Sequence, residues 1–209
     1  MKLLWPFDVV HPGDAGYALF ADAGWEAFQR GVSEGLVCAA PKEMLHAKTY
    51  LSSARVRISS LGLLPNGWRI SAPNPVSAYF DMLMSRWLAD EVIASGTPQN
   101  IAPLKVKFRG SMVMLYGEST PDSCKYRVAI DGKYTEHQPD KNKPPLQEFD
   151  AGILGRMLKG NTHHAQVIAT GVDSTVEHEL SIEPLLTDTG KELRLESICV
   201  AGETPMVKK

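Results

Sequence analysis

The sequence predicts an α+β protein, with helices in the first half of the chain and an antiparallel β-sandwich in the second half. Residues 14–30 and 77–93 carry apolar side chains at spacings of three and four, which is typical of helices with one buried face. From Pro103 onward, short segments of alternating apolar and polar residues are separated by turn residues, which is typical of strands. The change of pattern predicts two parts, residues 1–100 and residues 101–209.

The first predicted helix begins near Asp14, because aspartate is a favourable N-cap residue, and it stops near Gly31. Its apolar stripe consists of Tyr17, Phe20, Ala21, Gly24 and Phe28. The rest of the first half is expected to form a short helix at 41–51, a connector at 54–76 with a brief strand at 55–58, and the long helix at 77–93.

The alternating segments of the second half predict seven or eight short strands. Together they indicate a β-sandwich, most simply a jelly roll. The dipeptide Asp131-Gly132 is a hairpin signal directly after an alternating segment. The segment at 153–158 is apolar without a clear period, and we interpret it as a strand. The remaining strands are expected at 104–108, 111–116, 125–130, 164–170, 177–184 and 193–201.

The composition of the 209 residues narrows the classes of function. The formal net charge is -2 and no cluster of Lys and Arg occurs, so the sequence gives no sign of nucleic-acid binding. No apolar run is long enough to cross a membrane. Residues 1–7 lack the cleavage pattern of a signal peptide, which leaves the localisation open. Three widely spaced cysteines, Cys38, Cys124 and Cys199, form no metal pattern, and no cofactor is predicted.

The stretch that points to chemistry lies near the first residue and reads Asp8-Val9-Val10-His11-Pro12-Gly13-Asp14-Ala15-Gly16-Tyr17. A weak nucleophile such as a serine hydroxyl needs a base, and the base needs a third group that orients it. His11 is suited to accept the serine proton through one ring nitrogen, while Asp8 accepts a hydrogen bond from the other. Pro12 disfavours helical backbone at His11, which keeps the histidine in the loop before the helix.

This layout resembles the last sequence block of the SGNH (GDSL-type) hydrolases, an Asp-x-x-His motif followed by a helix. The resemblance covers about residues 5–30, and it implies Ser-His-Asp hydrolysis of an acyl ester with His11 and Asp8 as catalytic residues. An SGNH domain with an attached β-sandwich is similar to some carbohydrate esterases, which implies an acetylated sugar as substrate. The resemblance also makes residues 1–100 the C-terminal part of the hydrolase domain, with a helical extension.

The family carries its nucleophile in a Gly-Asp-Ser block far upstream of Asp-x-x-His, and no such block precedes Asp8 in this sequence. We therefore expect that an N-terminal half of the hydrolase domain is missing and that the chain alone hydrolyses no ester. We also expect an exposed apolar patch on the first helix, because that helix would cover the missing half.

Four other interpretations remain open at this stage. Asp8 and His11 could belong to a structural turn. In a circularly permuted enzyme, the nucleophile could be Ser119 within Gly117-Glu118-Ser119. The sandwich could be a non-catalytic carbohydrate-binding or interaction module. A metal site would need His163, His164 and His178, but adjacent histidines on a strand point to opposite faces.

Overall fold

The structure is a computed structural model, and it describes residues 11–37, 52–73, 88–187 and 190–209. The chain forms two compact units, Met1–Ala47 and Lys48–Lys209. The division into residues 1–100 and 101–209 stays a prediction. In the described ranges, no helix combines the length and the apolar character that a membrane span requires.

The first unit contains helix α1, which spans Asp14–Ser33. Gly13 is the N-cap residue and Asp14 is the first helical residue, where its negative charge is favourable toward the helix dipole. The helix continues past the predicted stop at Gly31. The chain turns away at Gly35, whose φ of 68° is a left-handed conformation that favours glycine.

The second unit contains two sheets whose strands pair antiparallel. Sheet A has the strand order β2-β3-β11-β5-β9, and β1 also pairs with β11. Its described strands are β1 (Ser52–Arg57), β2 (Trp68–Ser71), β3 (Glu91–Ser95), β5 (Met112–Ser119), β9 (Thr162–Thr170) and β11 (Glu192–Gly202).

Sheet B has the strand order β12-β4-β10-β6-β7, and β8 pairs with β6. Its described strands are β4 (Leu104–Arg109), β6 (Lys125–Ile130), β7 (Lys133–Tyr134), β8 (Glu148–Asp150), β10 (His178–Leu185) and β12 (Met206–Lys208). A short helix, α2 (Ile153–Leu158), precedes β9.

The two sheets share one hydrophobic core, because the inward side chains of both belong to a single cluster. Strand β4 shows the pattern: Leu104, Val106 and Phe108 are buried, while Lys105 and Lys107 on the other face are exposed. Other fully buried members include Leu115, Tyr126, Phe149, Leu180, Ile182, Leu195 and Ile198. The predicted β-sandwich is confirmed, and this face alternation divides each sheet into a core face and an outer face.

The predicted α+β class is wrong, because the described fold is dominated by β-strands and includes only two α-helices. Strands β1 and β2 lie in the predicted connector, where β1 overlaps the brief strand expected at 55–58, whereas β3 lies where a helix was expected. Strand β3 occupies the end of the predicted helix at 77–93, and the earlier residues of that helix, up to 87, lie outside the described ranges. Residues 91–94 are buried on both faces, and a continuous apolar run does not distinguish a strand from a helix. The predicted helix at 41–51 also lies outside the described ranges.

The predicted strand at 153–158 is also wrong, because these residues form α2. Gly155 packs so closely against Thr120, the residue that follows β5, that an added Cβ would lie 2.3 Å from its carbonyl carbon. The hairpin signal is confirmed: Asp131 and Gly132 have φ values of 51° and 78° between the paired strands β6 and β7. The apolar pattern of 153–158 is ambiguous, and the close packing of Gly155 distinguishes the helix from a strand.

Candidate functional site

His11, the predicted base, is exposed and lies three residues before the first residue of α1. Pro12 and Gly13 separate it from the helix, so the imidazole belongs to the loop, as the sequence predicts. Asp8 lies outside the described residues, and its pairing with His11 therefore stays a prediction.

The apolar face of α1 is exposed, which agrees with the patch expected from the sequence. Tyr17, Trp25 and Phe28 are 58%, 59% and 60% exposed, and Val32 is 64% exposed. The rings of Trp25 and Phe28 stack with centroids 5.5 Å apart. Their spacing places these side chains on one side of the helix, and large contiguous apolar patches of this kind mark interaction surfaces.

A buried ionic cluster lies on the outer face of sheet A and was missed by the sequence reasoning. Arg194 of β11 donates from Nε to Glu118 Oε2 at 2.5 Å, and its Nη2 lies 3.0 Å from Glu91 Oε2. These three side chains are 4%, 1% and 0% exposed, respectively. A third acid, Glu192, accepts from Arg194 Nη1 at 3.0 Å, and Asn161 Nδ2 donates to the other oxygen of Glu118 at 3.0 Å.

One guanidinium therefore serves two fully buried carboxylates. Burial raises the pKa of Glu91 to about 8, the nearby Glu118 carboxylate adds to this rise, and Arg194 opposes it. The Oε1 atom of Glu91 is buried and accepts no hydrogen bond from the described atoms. A protonated Glu91 can instead donate a hydrogen bond toward Glu118. The three residues lie in three different strands, so no pattern within a short stretch of sequence predicts the cluster. They come together only through the register in which the strands pair.

The same outer face carries a second ionic group. Glu196, which is 1% exposed, ion-pairs with Arg55 at 2.7 Å and with Arg57 at 3.4 Å. The Arg55 guanidinium lies 4.7 Å from the centre of the Tyr116 ring, and His163 stacks on that ring at 6.2 Å. These contacts place paired polar groups on the outer face of β1, β5 and β11.

A groove of about 710 Å³ lies on the outer face of sheet B, where strands β10, β6 and β8 run side by side. We call it the charged groove. Four cationic side chains line it: Lys125, Arg127, Arg156 and Lys191. Three carboxylates line it as well: Glu148, Asp150 and Glu183. Its size lies within the range of small-molecule and cofactor sites.

The alternative nucleophile Ser119 does not face solvent. Its side chain is 1% exposed, and its Oγ accepts a hydrogen bond from the Gly155 N–H at 3.0 Å. This hydroxyl fastens α2 to the end of β5, which argues against the permuted interpretation.

The three histidines of the alternative metal site lie apart. His164 points into the core, where it is 2.8 Å from the Tyr126 hydroxyl, whereas His163 lies on the outer face of sheet A. His178 belongs to sheet B and pairs with Asp131 at 2.6 Å. Among the described residues, no group of three or more His, Cys, Asp or Glu is placed to hold a metal ion.

Comparisons with known proteins identify a similar fold. No protein-family model matches the sequence, and no curated protein matches it significantly. Two crystal structures of a two-domain esterase active on acetylated mannans, one co-crystallised with mannopentaose, superpose on 94% and 93% of this chain with TM-scores of 0.59 and 0.58. Sequence identity is 16% and 17%. A family two carbohydrate esterase from Cellvibrio japonicus also matches 76% of this chain and 36% of its own at 12% identity, with a TM-score of 0.42.

The chain spans about half of the two-domain esterase, which it covers to 49% and 48%. At these identities the likeness concerns the fold alone. The described structure therefore has a fold similar to that of about half of a carbohydrate esterase.

Proposed function

We propose that this chain is part of an SGNH-type carbohydrate esterase and supplies the histidine and the aspartate of its catalytic triad. The observation that carries the proposal is the Asp8-x-x-His11 motif directly before α1, in a chain whose fold is similar to part of an esterase. The serine is supplied by residues outside this sequence.

His11 acts as the general base in this proposal. The serine Oγ attacks the carbonyl carbon of the ester while its proton passes to one ring nitrogen of His11. Asp8 accepts a hydrogen bond from the other ring nitrogen, which fixes the tautomer and stabilises the imidazolium. His11 then returns the proton to the leaving sugar hydroxyl, and water releases the acyl group by the same route. The exposure of His11 supports this role, because a serine on another polypeptide segment can reach the ring.

The proposed substrate is an acetylated polysaccharide. The two-domain esterase with the similar fold is active on acetylated mannans, and this supports the same class of ester here. The acetyl group and the sugar belong to the proposal, since a shared fold does not fix a substrate.

The exposed apolar face of α1 is the proposed docking surface for the polypeptide that carries the serine. Tyr17, Trp25, Phe28 and Val32 are each more than half exposed, and they lie on the helix that follows His11. A segment that covers this face would also bring its own residues close to the His11 loop. The same contact would thus bury the apolar side chains and complete the triad.

The first test uses the chain alone. We expect no turnover of p-nitrophenyl acetate, because removal of the nucleophile removes the covalent route. Turnover that is abolished by His11→Ala would contradict the proposal, since the nucleophile would then lie within these 209 residues.

The second test uses the product of the complete reading frame that encodes this chain. We expect a Gly-Asp-Ser block before Asp8 and release of acetate from acetylated mannan. His11→Ala should lower kcat/KM by about 10³-fold or more, whereas His163→Ala, on the outer face of sheet A, should leave it unchanged. A complete product with activity that does not depend on His11 would overturn the assignment.

A further inference from the structure

We propose that the charged groove on sheet B binds a neutral oligosaccharide chain, separately from the His11 loop. The choice of a glycan rests on the proposed function, but the argument for a polyhydroxylated ligand rests on the groove itself. The site lies within one compact unit, Lys48–Lys209.

The sheet register builds the groove from cross-strand rows. Arg127 of β6 lies between Glu183 of β10 and Glu148 of β8, so one cation has a carboxylate on each side. Lys125 occupies the next outward position and lies opposite Asp150. Residues two apart on a strand share a face, so both rows project toward the groove.

The balance of charge selects the chemistry of the ligand. Carboxylates only accept hydrogen bonds, whereas ammonium and guanidinium groups only donate them. A phosphate or a carboxylate ligand would meet three carboxylates, and a cation would meet four positive side chains. A sugar hydroxyl both donates and accepts, and vicinal hydroxyls match the paired atoms of carboxylates and guanidinium groups. A neutral polyol is therefore the class that satisfies both kinds of group.

The polar groups are held in place before a ligand arrives. Arg127 Nη2 donates to Glu148 Oε1 at 2.9 Å. Asp150 accepts from the Gly152 N–H at 3.0 Å and from Arg156 Nη2 at 2.5 Å. Groups that are already ordered lose less conformational entropy on binding.

The lining of the groove also includes two partly exposed apolar side chains, Pro184 and Leu185. A pyranose ring carries apolar patches formed by its C–H groups, while its hydroxyls project from the rim. Contact between the C–H groups and these two side chains would remove apolar surface from water.

The test is titration of the full chain with mannopentaose, cellopentaose and xylopentaose, measured by calorimetry and by NMR of the ¹⁵N-labelled protein. We expect binding of at least one pentasaccharide, with amide shifts concentrated in Lys125–Arg127 and Glu148–Asp150. Glu148→Gln should weaken binding about tenfold, because it removes a charged acceptor.

Glu179→Gln is the matched control. Glu179 ion-pairs with Lys105 at 2.9 Å on the same outer face but outside the lining of the groove. It should leave the affinity unchanged. Absence of binding to all three sugars, equal weakening by both variants, or tighter binding of an oligogalacturonate than of any neutral sugar would overturn the proposal.

The experiment needs no turnover, so its failure is distinct from a failure of the esterase proposal. The NMR shifts of the wild-type protein locate the bound sugar even if Glu148→Gln fails to fold. Shifts confined to residues outside the charged groove would also contradict the inference.

Discussion

The substitution Glu91→Gln tests the buried cluster on sheet A. Glu91 is fully buried, and its pKa is raised to about 8 by burial and by Glu118. As the pH rises from about 4.5, the unfolded chain gives up this proton before the folded protein does, so stability is fully present at low pH and declines toward pH 8. Glutamine resembles the protonated acid and should remove this decline.

The size of the effect follows from linkage. Each pH unit inside this window lowers the free energy of unfolding by about 1.4 kcal/mol. Between pH 5.5 and 7.5, the titration of Glu91 should therefore lower the free energy of unfolding of the wild-type protein by on the order of 2–3 kcal/mol. The glutamine variant should show no such decrease. The stability of the variant relative to wild type should rise by this amount over the same interval.

The assay is urea unfolding at several pH values, followed by the fluorescence of Trp68, which is buried in the sandwich core. Glu203→Gln is the control, because Glu203 is exposed and does not belong to the cluster, and it should follow the wild-type curve within about 0.5 kcal/mol. A constant difference between Glu91→Gln and wild type at all pH values would refute the reasoning. It would mean that Arg194 keeps Glu91 ionised throughout.

Three further substitutions test the packing and the exposed helix. Tyr126→Phe should lower the free energy of unfolding in urea by about 1–3 kcal/mol. Burial lowers the pKa of His164 to about 4, so its ring is neutral, and the substitution removes the tyrosine hydroxyl that lies 2.8 Å from this ring. Gly155→Ala should lower the free energy of unfolding by about 2–3 kcal/mol, because the added Cβ would collide with the Thr120 backbone. A loss no larger than that caused by a substitution at an exposed position would contradict this. Phe28→Glu should leave thermal unfolding nearly unchanged and weaken association with the serine-bearing polypeptide; a large loss of stability would show that Phe28 is packed within this chain.

The sequence correctly predicted the elements that have a strong pattern within a short stretch of residues. Helix α1 follows from its apolar spacing, and the β6–β7 hairpin follows from Asp131-Gly132, whose residues tolerate positive φ. Strand β4 follows from its strict alternation of lysines with Leu104, Val106 and Phe108. In each of these elements, the residues of one short segment are enough to predict the element.

The missed elements depend on contacts that are distant in sequence. Strand β3 is buried on both faces, so it carries no period, and its place beside β11 joins residues about a hundred positions apart. Helix α2 depends on the close approach of Gly155 to Thr120. A pattern read within a short window contains neither contact.

The candidate sites divide in the same way. His11 was found because its motif is local, and the structure places it in an exposed loop before α1. The cluster of Glu91, Glu118 and Arg194 and the charged groove were not found, because each is assembled by register between three strands. Their charges look like ordinary surface alternation until the strands are paired.

The central claim is that Asp8 holds His11 as a general base, and the ¹⁵N chemical shifts of the His11 ring test it most directly. These shifts record which ring nitrogen carries the proton in the neutral imidazole. If Asp8 accepts a hydrogen bond from the ring, the wild-type protein should carry the proton on the nitrogen that faces Asp8, and Asp8→Asn should lose this preference. An identical tautomer distribution in the two proteins would contradict the claim.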